Sequence, residues 1–305
     1  MSKSEDEGKM KIKRALFAGV LLFALSSQNR ASFGQQTQTA RPQMPGPEKG
    51  YLVLQGGGAS IPEIFERFVA LAGGKNARLV LIPTATAFSF PDRVIPEERL
   101  KQMKTSMEQR MGVPQITLLH TMDRQVADSE KFVEPLADAT GVWVLGGDEG
   151  ILASVYKGTR TERELDAVVA QGGVVGGTSA GADIWAPYIF DLPPDMEKVP
   201  LNNMGPYLKP EGFGLLREVV ILPHFTERHL EVATPKILDL HPDVQVIGID
   251  EGTAIFVHGD SFEVVGREGV SVSGGKAYAG KGNLLLKNGD RFDLTRRAVI
   301  GAASR

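Results

Sequence analysis

Apolar residues run along this chain in two alternating rhythms. Short unbroken runs stand at 51–55, 78–82, 116–119, 141–145, 174–175, 219–223 and 246–249. Between them lie stretches of helical period at 62–72, at 97–111 and from Ile151 onward. Runs without polar alternation read as strands buried on both faces, and strands alternating with helices read as a parallel sheet. The expected fold is therefore α/β, a doubly wound, mostly parallel sheet with helices on both faces. Past Ala254 the texture changes to short strands broken by glycine turns, among them Lys287-Asn288-Gly289-Asp290. This predicts a C-terminal antiparallel β extension, from about residue 253 to 294, packed on the sheet edge. Two long loops, 84–96 and 187–214, interrupt the alternation. The second is rich in proline, aspartate and asparagine and is a candidate lid or specificity loop.

In open parallel sheets, sites gather at the carboxyl ends of the strands. The run 174–175 leads into Gly176-Gly177-Thr178-Ser179-Ala180-Gly181-Ala182, a Gly-x-Ser-x-Gly turn that opens a helix. Such a turn presents the serine oxygen above the sheet and leaves the next N–H, that of Ala180, for an oxyanion. Ser179 is the candidate nucleophile; it needs a base and a carboxylate to hold that base. Of the five histidines, His224 closes the run 219–223 and is the best candidate base. His120 also ends a run but precedes the serine, while His229, His241 and His258 fall at a helix start or in turns. The run 246–249 ends in Asp250-Glu251, and either residue fits as the acid. The run 141–145 ends in Gly146-Gly147-Asp148-Glu149-Gly150, whose outward N–H groups suit a second oxyanion donor or an anionic substrate. Gly56-Gly57-Gly58 ends the first run. Ile61 stands where a dinucleotide fingerprint needs its third glycine, so nucleotide binding is not expected.

Taken together, Gly147-Asp148, the 176–182 turn, His224-Phe225 with Arg228, and Ile249-Asp250-Glu251-Gly252-Thr253-Ala254 resemble the cyanophycinases and the related aspartyl dipeptidases. These form a serine peptidase family on a class I glutamine-amidotransferase-like fold, and the resemblance runs in order from about residue 51 to 257. It implies a triad of Ser179, His224 and Glu251, with Glu251 rather than Asp250 as the acid. It implies peptide or isopeptide substrates built on aspartate, cleavage through an acyl-enzyme, no metal or organic cofactor, and a homodimer. Gly147 and Ala180 then serve as oxyanion donors, and Asp148, Glu149 and Arg228 face the substrate, with Arg228 a candidate carboxylate clamp. The chain departs from the family pattern around the substrate. Glu149 stands where cyanophycinases read Gln, Leu222-Pro223 where they read Asp-Gln, and Leu230 and Ala233 where further arginines follow the histidine. Losing an acid and two arginines weakens the grip on an aspartyl-arginine unit. The triad carries over; cyanophycin as substrate does not.

Composition trims the alternatives. A chain of 305 residues, 42% hydrophobic, can bury the core of one sizeable domain. A net charge of -3 offers no basic face for nucleic acid. The absence of cysteine excludes disulfides, thiol catalysis and a cysteine-based zinc site, and His224 and His229 do not form a His-Glu-x-x-His pattern. Lys11, Lys13 and Arg14 precede the apolar run 15–25, the layout of a secretory signal and too short for a comfortable membrane span. Residues 1–34 are expected to be a signal peptide or amino-terminal anchor, and 35–50 a flexible linker rich in Gln, Thr and Pro. Residues 51–305 then form the peptidase domain, exported to the periplasm or beyond, with no integral span in the mature form. Two rival readings remain. An α/β-hydrolase esterase shares Gly-x-Ser-x-Gly but expects its acid before the histidine and a His-Gly-Gly oxyanion loop. A non-catalytic exported binding protein would keep the scaffold without turnover, despite the complete Ser–His–acid set.

Overall fold

The computed structural model describes residues 44–193, 198, 200, 205–274 and 283–301; the signal-like segment 1–34 and residues 35–43 of the linker lie outside them. Five parallel strands form the heart of the domain. They are β1 (Tyr51–Gln55), β2 (Leu79–Ile82), β3 (Ile116–Leu118), β4 (Gly141–Val144) and β5 (Val174–Thr178). Their spatial order is β1-β5-β4-β2-β3. The connections carry α1 (Pro62–Leu71), α2 (Glu97–Met111), α3 (Arg124–Ala127), α4 (Glu130–Ala137), α5 (Glu149–Tyr156) and α6 (Arg160–Ala170).

Successive side chains of a strand point to opposite faces, and here both faces are covered. Val53, Leu81, Trp143 and Val174 share one cluster with Phe65 and Phe68 of α1 and Met107 of α2. Leu52, Leu54, Val80, Val142 and Val175 share the other with Val133 of α4 and Leu165 and Val168 of α6. Strands buried on both sides have no polar face to alternate with, which is why they read as unbroken apolar runs. The helix read as starting at Ile151 is two helices, separated at Lys157-Gly158, where Gly158 takes φ +74.

The second half departs from the sequence reading. Helix α7 (Ala180–Asp183) follows β5 at once. Within the 187–214 loop, β6 (Ile189–Phe190) and β7 (Leu208–Lys209) form a short antiparallel pair. Next come β8 (Val219–Pro223), α8 (Thr234–Leu240) and β9 (Gln245–Ile249), with the two strands parallel to each other. The β extension then divides. Strands β10 (Thr253–His258), β11 (Ser261–Gly266), β14 (Arg291–Asp293) and β15 (Ala298–Gly301) prolong the main sheet beyond β1 in antiparallel sense. Strands β12 (Val270–Gly274) and β13 (Leu284–Leu286) instead join β9 and β8 in a separate sheet ordered β13-β12-β9-β8. The expectation of one extension on one sheet edge is thus corrected. Burial pattern reports which residues are inside, not which edge a strand joins.

The end of the expected linker is also packed rather than free. Gly46 N–H donates to Gly259 O at 2.8 Å, Gly259 N–H to Pro47 O at 2.8 Å, and Arg217 N–H to Pro45 O at 2.7 Å. Three such bonds tie residues 45–47 to the domain, so these residues are part of its packed structure.

Candidate active site

Three strand ends from two sheets meet here. Ser179 lies between β5 and α7 with φ 55 and ψ -124, and His224 follows β8 with φ 54. Positive φ is uncommon outside glycine, and strained backbone clusters at functional sites. Ser179 N–H donates to Gln55 O at 3.0 Å, and His224 N–H to Gly56 O at 2.6 Å. Both bends are therefore pinned to the end of β1, which stitches the second sheet to the first. The close turn at the serine needs its glycine: a Cβ on Gly181 would sit 2.2 Å from Val144 O.

The side chains form a continuous chain of hydrogen bonds. His224 Nε2 lies 2.9 Å from Ser179 Oγ, and His224 Nδ1 lies 2.6 Å from Glu251 Oε1. Asp250, the other candidate acid, points elsewhere. Its Oδ1 accepts from Thr226 N–H at 3.1 Å and Thr226 Oγ1 at 2.9 Å, and its Oδ2 from Gly269 N–H at 3.2 Å. Asp250 thus ties the turn after His224 to the start of β12. Burial pushes the His224 imidazole below its ordinary value; the Glu251 hydrogen bond opposes this and the Arg228 charge adds to it. The base is accordingly neutral, and able to accept a proton, at physiological pH.

A cavity of about 560 Å³ is lined by Ser179, Ala180 and Gly147. Ala180 is the first residue of α7, so its N–H has no acceptor within the helix. Gly147 takes φ 149, and a Cβ there would lie 2.1 Å from Ala85 O. Only glycine fits that bend, and Asp148 N–H holds it by donating to Ala85 O at 3.1 Å. Asp148, Glu149 and Arg228 also line the cavity, with Arg228 exposed. So do Leu222 and Pro223, the residues that replace the family's Asp-Gln. Burial pushes the Glu149 carboxyl up to about 7, helped by the charges of Asp191 and Asp148 and opposed by its own backbone N–H and by Arg228. The candidate lid contributes Phe190, Asp191, Pro206 and Tyr207, so it walls this cavity.

The sequence profile of Peptidase family S51 matches residues 52–265. The chain belongs to peptidase family S51. Like other members of family S51, it is a peptidase of the serine type. It is 27% identical over 247 residues to a cyanophycinase of Geminocystis herdmanii (strain PCC 6308), covering 80% of this chain and 87% of that one. A cyanophycinase of Nostoc sp. (strain PCC 7120 / SAG 25.82 / UTEX 2576) is 26% identical over 261 residues, covering 80% and 84%. Among solved structures, a peptidase from an acI-B1 Actinobacterium is similar with a TM-score of 0.65 at 26% identity, covering 81% of this chain and 98% of that one.

Two features of this S51 site escape a motif reading. Gly56-Gly57-Gly58, dismissed as a nucleotide loop, packs on the hydrogen-bonded chain instead. A Cβ on Gly57 (φ 113) would stand 2.1 Å from the His224 ring, and one on Gly58 2.5 Å from Glu251 Oε2. Gly57→Ala is expected to displace the imidazole by an ångström or so and lower kcat by about 10²-fold, with folding checked by circular dichroism. The second is Asp183, buried at the end of α7 and lining the cavity. A lone carboxyl inside the apolar stretch Ala182-Asp183-Ile184-Trp185 was the available signal. The remaining histidines stay out of the site. His120 Nδ1 lies 2.9 Å from Thr84 Oγ1, His258 Nδ1 donates to Gly50 O at 2.9 Å, the His241 ring packs tilted against Tyr188, and His229 is exposed.

Proposed function

We propose that this peptidase cleaves aspartate-containing peptides or isopeptides through an acyl-enzyme on Ser179. His224 takes the hydroxyl proton and returns it to the leaving amine, while Glu251 holds the ring and stabilises the imidazolium. The N–H groups of Ala180 and Gly147 receive the oxyanion, and Asp148, Glu149 and Arg228 face the substrate. One observation carries the catalytic part of this reading, the unbroken Ser179–His224–Glu251 hydrogen-bond chain beside a cavity, and the likeness to cyanophycinases supports the substrate class. The basic-then-apolar amino terminus supports action outside the cytoplasm.

The test is hydrolysis of α-aspartyl dipeptides, β-aspartyl-arginine material and a simple ester, alongside labelling of Ser179 by a neutral fluorophosphonate. Aspartyl-peptide cleavage upholds the proposal, ester-only turnover favours an esterase, and silence with an unlabelled serine favours a binding protein. Labelling should also depend on pH in one direction. His224 must be unprotonated to act, so the rate rises with pH and its acid limb has a midpoint below the ordinary imidazole value of about 6.5. A midpoint well above that value would remove His224 as the base.

A further inference from the structure

Acidic side chains outnumber basic ones around the cavity. Four acids line it, Asp148, Glu149, Asp183 and Asp191, against two cations, Lys209 and Arg228. Two of the acids are committed. Asp148 Oδ1 caps α5 by accepting from Ile151 N–H at 2.9 Å, and Asp191 is ion-paired with Lys209. Glu149 and Asp183 remain. Asp183 is 4% exposed, and its Oδ1 is buried without a hydrogen-bond partner. A buried carboxyl oxygen left unpaired costs free energy, so its presence one helical turn after the nucleophile calls for a ligand. Among the described residues no three His, Asp or Glu side chains are grouped as a metal site. Two uncommitted carboxyls side by side suit an organic cation, which each can accept as a charge-assisted donor.

We propose that Asp183 and Glu149 form a cation subsite beside the scissile bond, which seats an ammonium or guanidinium of the substrate. The proposal rests on the serine-peptidase reading of Ser179 and adds to it a charge requirement that the triad alone does not impose. A cation could come from two sources. A free α-ammonium would make the enzyme an exopeptidase that reads the substrate's amino terminus; a lysine or arginine side chain would make it selective for basic residues. Arg228, exposed at the same cavity, stays available for a carboxylate of the same substrate.

The protonation of the pair agrees with this. Burial first, then the Glu149 charge, holds the Asp183 carboxyl well above its ordinary value, with Asp191 adding and Arg228 and the Ile184 backbone opposing. Together with Glu149 near 7, the pair holds protons at neutral pH that an incoming cation displaces. Binding of a side-chain ammonium, which stays charged throughout, should therefore tighten as pH rises through about 7.

The experiment measures protection of Ser179 from a neutral fluorophosphonate in the full chain. Three competitors are compared: alaninamide with a free α-ammonium, N-acetyl-lysine amide with a side-chain ammonium, and the neutral isostere N-acetyl-norleucine amide. At least one cation is expected to protect at a concentration about 10-fold or more below the neutral compound. That ratio should fall towards one in Asp183→Asn and in Glu149→Gln, each checked for an unchanged melting transition. Which cation wins identifies the source. A wild-type protein that labels at Ser179 but shows no cation preference overturns the subsite, as does a preference that survives both substitutions. A protein that does not label at Ser179 overturns the nucleophile assignment itself, and the subsite with it.

Discussion

Ser179→Ala is expected to lower kcat by about 10⁴- to 10⁶-fold while the melting temperature holds. The size follows from removing the hydroxyl that the base is placed to deprotonate. Ser179 Oγ is bonded to His224 Nε2, and the remaining bonds of the residue are made by its backbone: its N–H to Gln55 O, its C=O to Ala182 and Asp183 N–H. Alanine can make all of the latter. The strained φ of 55 is held by those same backbone bonds and is no worse for alanine than for serine. Folded protein without turnover is thus the expected result, read by hydrolysis of an aspartyl peptide and by thermal unfolding. Activity within a few-fold of wild type would sink the nucleophile assignment.

Glu251→Gln is expected to cost about 10⁴-fold in kcat with little loss of stability. An amide can present its NH₂ to His224 Nδ1, which favours the tautomer with its proton on Nε2, facing Ser179. That nitrogen can then no longer accept the serine proton. The Glu251 side chain is 41% exposed, so the fold should tolerate the change. The adjacent Asp250→Asn should behave in the opposite way. An asparagine in the same place cannot accept from Thr226 N–H, Thr226 Oγ1 and Gly269 N–H together, and an unmet buried donor costs about 1–3 kcal/mol. Asp250→Asn should therefore lower the melting temperature and change kcat far less. Measuring kcat and unfolding for both variants decides the matter: a catalytic collapse in Asp250→Asn with an active Glu251→Gln would reverse the two roles.

Local chemistry carried much of the site into view. The Gly-x-Ser-x-Gly turn, the histidine at the end of an apolar run and the Asp-Glu pair at the end of another are each short-range signals, and each lies where it was expected along the chain. Resemblance pointed to Glu251, and the geometry puts that carboxylate on His224 Nδ1. Neighbouring residues on an extended backbone point to opposite sides. Which of Asp250 and Glu251 faces the histidine therefore depends on the path after β9, where Gly252 turns with φ 69. No pattern in the run 246–249 encodes that path.

The sequence by itself determined the α/β class, the order of the buried strands along the chain and the strand ends that carry Ser179, His224 and the acid pair. Those depend on side-chain periodicity and turn chemistry, which act over a few residues. Only the tertiary structure decided that β8 and β9 leave the main sheet for one of their own. It alone pinned both sheets through Gln55 O and Gly56 O, pressed Gly57 and Gly58 against the triad, and buried Asp183 in the cavity wall. Strand partnership and close approach are settled by contacts between residues far apart in sequence, where the deciding quantity is the space left by the rest of the fold.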